Sequence, residues 1–387
     1  MKVYLDYHST TPLDKRVYKA MKPFFFSRFG NPAAAHFYGE DAAEAVGVAK
    51  EQVADLIRAT PDNICFTNSA TEANNIVLNN WWGHPEGKGK IIITTNVEHS
   101  SIVKYIASAH NDLHLELKID SSGQISLKDL EDRLSGLRGV SSALVSIMAA
   151  NNEIGTIYPL KEIGDICKKY EAFFHTDATQ AIGKVNIDVD DMNISALTMS
   201  AHKIYGPKGV GALYLRDVGE IRPLIHGGYQ NTVSSGTQNV PAIVGMGEAC
   251  RILQLSENTE ENKRIEKLRD FLLDELQKNI PGIIINGTMK NRLPNNLNVA
   301  IKDIKAEALI KGLDDMAISG GSACTSGNIE PSHVILALGS LYPDCSIRFG
   351  LGRWTTKKEI KYAVKRLVKA VETIRSDQHA EKDRHEE

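Results

Sequence analysis

Short apolar runs punctuate the first two thirds of the chain, and they are apolar on successive residues rather than on alternate ones. They occupy 63–67, 90–95, 143–148, 172–176, 194–200 and 210–215. A strand buried on both faces reads this way, and the helix-length amphipathic pieces between the runs, such as 160–170, predict a mostly parallel central sheet with helices on both faces. The class is α/β. A polar cluster follows each of five runs: Asn68 to Glu72, Glu98 with His99, Asn151 to Glu153, Asp177 to Gln180, and His202 with Lys203. In an open α/β sheet the ligand crevice lies beyond the carboxyl ends of the strands, so these clusters are expected to share one site.

Past Leu253 the pattern changes to a charged helical stretch (257–278), strand-like runs at 283–286 and 296–301, a Gly/Ser-rich loop around Cys324 and a final helix over 357–374. This predicts a smaller α+β domain. The expected division is a large domain over 13–255, a small domain made of 1–12 and 256–375, and a charged, disordered tail over 376–387. A formal charge of -3 gives no basic footprint for nucleic acid. No apolar run approaches the ~20 residues that span a bilayer, and residues 1–7 enter structure without an apolar signal segment, so a cytoplasmic protein without membrane contact is expected. The five cysteines, at wide irregular spacings, fit neither a disulfide framework nor a paired zinc site, and no metal site is expected.

The chemistry concentrates in a few of these positions. Lys203 and Asp177, each just past a predicted strand, are the pair a pyridoxal phosphate site requires: an amine for the cofactor's aldehyde and a carboxylate for its pyridinium nitrogen. Asp177 could instead cap the next helix, and Lys203 could be a surface lysine before the Gly206-Pro207 turn. Asn68-Ser-Ala-Thr-Glu-Ala-Asn74 opens a helix after a strand, where small residues and the Thr71 hydroxyl suit a phosphate or serve as an ordinary N-cap. Ser200 and His202 could add phosphate donors, and Gln180 and Asn152 could bond the cofactor's phenolate oxygen. His99 is placed to stack on a ring and relay protons, whereas His8 and His36 read as structural. Cys324 has almost only small neighbours, the setting of a mobile reactive thiol. Arg353 is the expected partner of a substrate carboxylate, with Arg348 competing, and Gly352 is expected to permit close ligand approach.

Taken together, Tyr4-Leu-Asp-Tyr-His-Ser-Thr-Thr-Pro12, Gly30-Asn-Pro32, Ser69-Ala-Thr-Glu72, Glu98-His99, Ala150-Asn-Asn-Glu-Ile-Gly155, His175-Thr-Asp-Ala-Thr-Gln180, the stretch from Ser200 to Gly211, Ser235-Gly-Thr-Gln-Asn-Val-Pro241, Gly321-Ser-Ala-Cys-Thr-Ser326 and Gly352-Arg353 resemble the class I cysteine desulfurases. The resemblance runs in order along nearly the whole chain. It implies a fold-type I pyridoxal phosphate transferase, a homodimer, and an L-cysteine substrate converted to L-alanine. Lys203 would hold the cofactor covalently, His99 would stack on its ring, and Asp177 would pair its ring nitrogen. Asn152 and Gln180 would hold the phenolate side. Ala70, Thr71, Ser200, Ala201 and His202 would bind the phosphate, with Thr237 from the other subunit. Arg353 would take the cysteine carboxylate, aided by Asn152.

Cys324 would receive the sulfur as a persulfide and pass it to an acceptor such as an iron–sulfur scaffold, where it could transiently ligate a cluster. Selenocysteine or cysteine sulfinate would share the same contacts, and a low-turnover sulfur-relay protein is the alternative from another class. Two departures stand out. Relatives carry two arginines in the Gly-rich stretch before Ser235-Gly-Thr237, and His226 to Ser235 has none; Ala33 and Ala34 replace small hydroxyl residues.

Overall fold

All six apolar runs become neighbouring strands of one sheet. The computed structural model describes residues 1–82, 90–108, 113–137, 143–227, 233–320 and 331–386. Its strands, in chain order, are β1 (Val3–Tyr4), β2 (Ile64–Thr67), β3 (Ile91–Thr95), β4 (His114–Leu117), β5 (Ala143–Ser146), β6 (Phe173–Asp177), β7 (Ala196–Ser200), β8 (Gly211–Leu215), β9 (Ile283–Ile285), β10 (Asn296–Ile301), β11 (Met316–Ala317) and β12 (Ser346–Gly350). The main sheet has the order β2-β8-β7-β6-β5-β3-β4 and is parallel except for β8, which opposes both of its neighbours. The connection 201–210 is too short to carry a crossover helix, so the chain must reverse there. Edge strand β4 has no continuous apolar run because only one of its residues is fully buried.

Both faces of the sheet are covered, and the alternation of side chains shows how. Ile91, Ile93 and Val145 pack into one core with Val46, Val53 and Ile163 from the helices Phe37–Ile57 and Leu160–Lys169. Ile92, Leu144 and Leu213 point the other way, onto Ile76 and Val77 of the helix Ala70–Trp82. A two-sided strand has no polar face to show, which is why these runs look continuous in sequence.

A second core gathers the antiparallel sheet β12-β10-β9, the helix Ser256–Asn279, and Val3 and Leu5 from the N-terminus, whose β1 pairs with β11. Leu293, Val334, Ile335 and Leu338 nevertheless join the first core. The two units therefore interlock beyond a boundary at residue 255. The last helix runs Lys357–Glu386 and carries helix through the stretch expected to be a disordered tail. Arg375 donates to the Pro281 carbonyl at 2.8 Å and Gln378 to the Asp303 carbonyl at 3.0 Å, which dock its polar end without apolar burial.

Candidate active site

The strand ends deliver their polar residues to one crevice. Lys203 closes the short 3-10 turn Ala201–Lys203 that follows β7. Its Nζ donates to the carbonyls of His8 at 2.5 Å and Ser9 at 2.6 Å, so the N-terminal segment lies directly over it. Burial, reinforced by the nearby Arg348 charge, lowers the amine to about 8 from the usual 10.5. A lysine so tuned is neutral often enough near neutral pH to act as nucleophile or base.

Asp177 ends β6, 6% exposed, with Oδ2 accepting from Asn74 Nδ2 at 2.8 Å and Oδ1 from the Thr179 N–H at 3.0 Å. His99 stands just before the helix Ser100–Ser108. Its Nδ1 lies 2.9 Å from Ser101 Oγ. Although the ring reaches solvent, the surrounding protein lowers the imidazole below its usual 6.5, opposed by the Asp177 charge. Next to it Glu98 is fully buried, accepting from Thr95 Oγ1 at 2.7 Å and from the Met148 N–H at 3.2 Å. Burial pushes its carboxyl up to about 8, so this acid stays protonated at neutral pH.

The expected phosphate residues also converge. Gly211 pairs with Thr67 on one side and with Ser200 on the other. A Cβ on Gly211 would come within 2.8 Å of the Ser69 carbonyl carbon and 2.9 Å of the Ala70 nitrogen. Glycine thus lets the start of the helix Ala70–Trp82 press against the end of β7, bringing Ala70 and Thr71 toward Ser200, Ala201 and His202. The first N–H groups of that helix have no intrahelical acceptor, which suits an anion. Thr237 is exposed and adjoins Gln238, which lines a cleft of about 410 Å³ with Pro32, Ala33 and Lys50. Cys324 and residues 228–232 of the arginine-free stretch lie outside the described residues.

Gln180 is 6% exposed and holds the His8 carbonyl and ring at 3.0 Å each. His8, expected to be merely structural, therefore belongs to the site; its other ring nitrogen sits 3.1 Å from Asn296 Nδ2. Only its place in the Asp6-Tyr-His-Ser9 segment could have signalled this.

The two candidate arginines have different surroundings. Arg353 is fully engaged elsewhere: its guanidinium contacts Asp14 at 2.5 Å and Glu261 at 2.8 Å and lies 4.1 Å over the Tyr205 ring. Gly352 makes room for Tyr7, whose ring a Cβ there would overlap at 2.1 Å, rather than for a ligand. Arg348 instead stands by the crevice. It bonds the Asn152 carbonyl at 3.0 Å, Ser9 Oγ at 3.0 Å and Asp6 at 2.9 Å, and its buried Nε has no partner among the described residues. Arg353 follows a loop in sequence, whereas Arg348 sits inside strand β12 and its direction becomes legible only from the pairing of β12 with β10.

A tuned amine, a buried carboxylate on the same crevice and a helix start beside β7 together form a donor set that fits pyridoxal phosphate. The other four cysteines are buried and form no disulfide, and burial pushes the Cys250 thiol up to about 12, away from reactivity.

Comparison with known proteins bears on this arrangement. Residues 3–363 match the family model described as aminotransferase class-V. The chain is 42% identical over 382 residues to a cysteine desulfurase IscS of Dictyoglomus turgidum, covering 97% of this chain and 95% of that protein. It is 40% identical to the human cysteine desulfurase, over 96% of this chain and 82% of the other. Among solved structures, a NifS-like protein superposes with a TM-score of 0.88 at 35% identity over 96% of this chain and all of that one. A structure titled SspA in complex with cysteine superposes with a TM-score of 0.79 at 34% identity over 92% of this chain and all of that one.

Proposed function

We propose, from the premise that this chain belongs to the class-V aminotransferase family and is a pyridoxal-phosphate-dependent cysteine desulfurase, that it moves the sulfur of L-cysteine onto Cys324 and passes it on as a persulfide. The observation that carries the residue assignment is the convergence of Lys203, Asp177 and His99 on one crevice, with Lys203 lowered to about 8. Lys203 would hold the cofactor, Asp177 its ring nitrogen, and Ala70, Thr71, Ser200, Ala201 and His202 its phosphate. Gln180 and Asn152 would flank the phenolate side.

Pyridoxal phosphate, when bound, supplies an electron sink that eases loss of the substrate's Cα proton and cleavage of its Cβ–S bond. Lys203, once its amine is free and neutral, takes the Cα proton. Arg348 receives the substrate carboxylate, in place of Arg353, because it lies beside Asn152 at the crevice while Arg353 is held by Asp14 and Glu261. The Cys324 thiolate attacks the substrate sulfur. A new S–S bond forms as Cβ–S breaks, the electron pair leaves with carbon, and protons complete alanine.

The homodimer reading is supported by an exposed aromatic patch, in which Phe29, 63% exposed, and Phe37, 70% exposed, both pack on Tyr38. Aromatics in such number on one face are costly to leave in water. A second copy placed there would also meet the cleft beside Thr237, so that residue could serve its partner's phosphate site. For the onward step we read an iron–sulfur scaffold or another acceptor protein. No helix among the described residues is long and apolar enough to cross a membrane, and four buried cysteines without a disulfide suit a reducing cytoplasm. The test is alanine release from L-cysteine by wild type and by Lys203→Ala and Cys324→Ala. Both variants should be inactive, Lys203→Ala should lose the covalently held cofactor, and Cys324→Ala should keep it; an active Cys324→Ala would overturn the sulfur-acceptor assignment.

A further inference from the structure

An unbroken line of hydrogen bonds runs from Asp177 to His99 through the buried side chains of Asn74 and Ser101. Asn74 Nδ2 lies 2.8 Å from Asp177 Oδ2 and 2.9 Å from Ser101 Oγ. Ser101 Oγ lies 2.9 Å from His99 Nδ1, and the Ser101 N–H points to the same nitrogen at 3.2 Å. Asn74, Ser101 and Asp177 are all buried.

The directions of these bonds follow from what each group can do. A carboxylate only accepts, so the Asn74 amide must turn its NH2 toward Asp177; the reverse orientation would set two acceptors face to face. The second amide hydrogen then goes to Ser101 Oγ. That hydroxyl keeps its own hydrogen for His99 Nδ1, and the Ser101 N–H can only donate. Two donors aimed at Nδ1 leave that nitrogen as the lone-pair acceptor, so the ring proton sits on Nε2. The Asn74 Oδ1 has no partner among the described residues, an unsatisfied group accepted in return for an amide held in one orientation.

We propose that Asn74 and Ser101 are positioning residues that lock His99 in the neutral Nε2–H tautomer and tie its ring to the Asp177 carboxylate, leaving His99 to offer an Nε2–H hydrogen-bond donor rather than a proton-accepting lone pair. This rests on the reading above that His99 works at the reaction centre. A second proton on Nδ1 would face two donors, so the line also disfavours the imidazolium. The charges that face His99 divide: Asp177 and Glu153 favour its protonation, while Lys203 and His333 oppose it. His333, whose Nε2 lies 3.1 Å from the Glu98 carbonyl, approaches from the helix His333–Ala337.

The test is nitrogen NMR of the imidazoles in histidine-labelled protein, with and without bound cofactor, the His99 signals being identified by their loss in His99→Gln. Wild type should show Nε2 protonated and Nδ1 bare through neutral pH. Ser101→Ala and Asn74→Leu should mix the tautomers, raise the pH at which His99 takes its second proton, and lower kcat by about 10- to 100-fold with KM little changed. Ser101→Thr, which keeps the hydroxyl, should restore all three. A wild-type His99 carrying its proton on Nδ1, or a Ser101→Ala protein with an unchanged tautomer, would overturn the proposal. The tautomer is read without turnover, so failure of the unaltered protein to release alanine would sink the desulfurase reading alone.

Discussion

Replacing Arg353 and Arg348 one at a time should separate stability from substrate binding. Arg353 and Asp14 are 10% and 7% exposed in their side chains, and Arg353 also holds Glu261. Removing one partner of a buried pair costs about 3–5 kcal/mol. Asp14 keeps Arg16 at 2.9 Å, so Arg353→Ala should fall near the lower end, about 3 kcal/mol. At roughly 1–2 °C per kcal/mol for a chain of this length, Tm should drop by about 3–6 °C. The KM for cysteine should stay within about twofold if, as proposed, Arg348 takes the carboxylate. Arg348→Ala removes a charge-assisted bond to the carboxylate worth about 1.5–3 kcal/mol, hence roughly 10- to 150-fold in kcat/KM. Its Tm should fall too, since Asp6 loses its ion pair. Alanine release across a cysteine titration, with thermal melts of the same samples, makes the comparison. Equal rises in KM for both variants, or a rise in Arg353→Ala alone, would refute the assignment of the carboxylate to Arg348.

Other outcomes follow from buried titrating groups and from the exposed aromatics. In cofactor-free protein the Lys203 pKa of about 8 lies below its unfolded 10.5, so the unfolded chain binds more protons between these values and stability should rise with pH across that window. Lys203→Met should remove part of that rise in chemical-denaturation curves; Lys184, also lowered to about 8 by burial, supplies another part. Glu98 behaves oppositely. Raised from 4.5 to about 8 by burial, it should make stability fall as pH climbs through that range, and Glu98→Gln should flatten the fall and melt higher than wild type at pH 8. Phe29→Glu with Phe37→Glu should give a monomer by sedimentation, with bound cofactor weakened if Thr237 serves the partner's phosphate site.

The sheet was legible because two-sided burial writes itself as continuous apolar runs, and the crevice because polar residues follow each run. Four things were not. The reversed direction of β8 depends on the length of the 201–210 connection, which an apolar run does not encode. The surroundings of Arg348 and Arg353 depend on strand pairing and on distant acids, Asp14 and Glu261, that no local pattern joins to them. His8, Asn74 and Ser101 lie beside recognisable motif residues but act through hydrogen bonds spanning up to 288 positions, and such bonds exist only after folding. The helical end over 376–386 was hidden by composition, since it docks through Arg375 and Gln378 rather than through apolar side chains.

The central claim is that sulfur leaves L-cysteine for Cys324. It is tested most directly by incubating the cofactor-loaded protein with an equimolar amount of L-cysteine, quantifying alanine, and measuring the mass of the peptide that contains Cys324 without reduction. The account predicts alanine in step with a peptide heavier by one sulfur atom, reverting on treatment with a thiol reductant. Alanine formed with Cys324 unmodified, or the extra sulfur on Cys65, Cys167, Cys250 or Cys345, would contradict it.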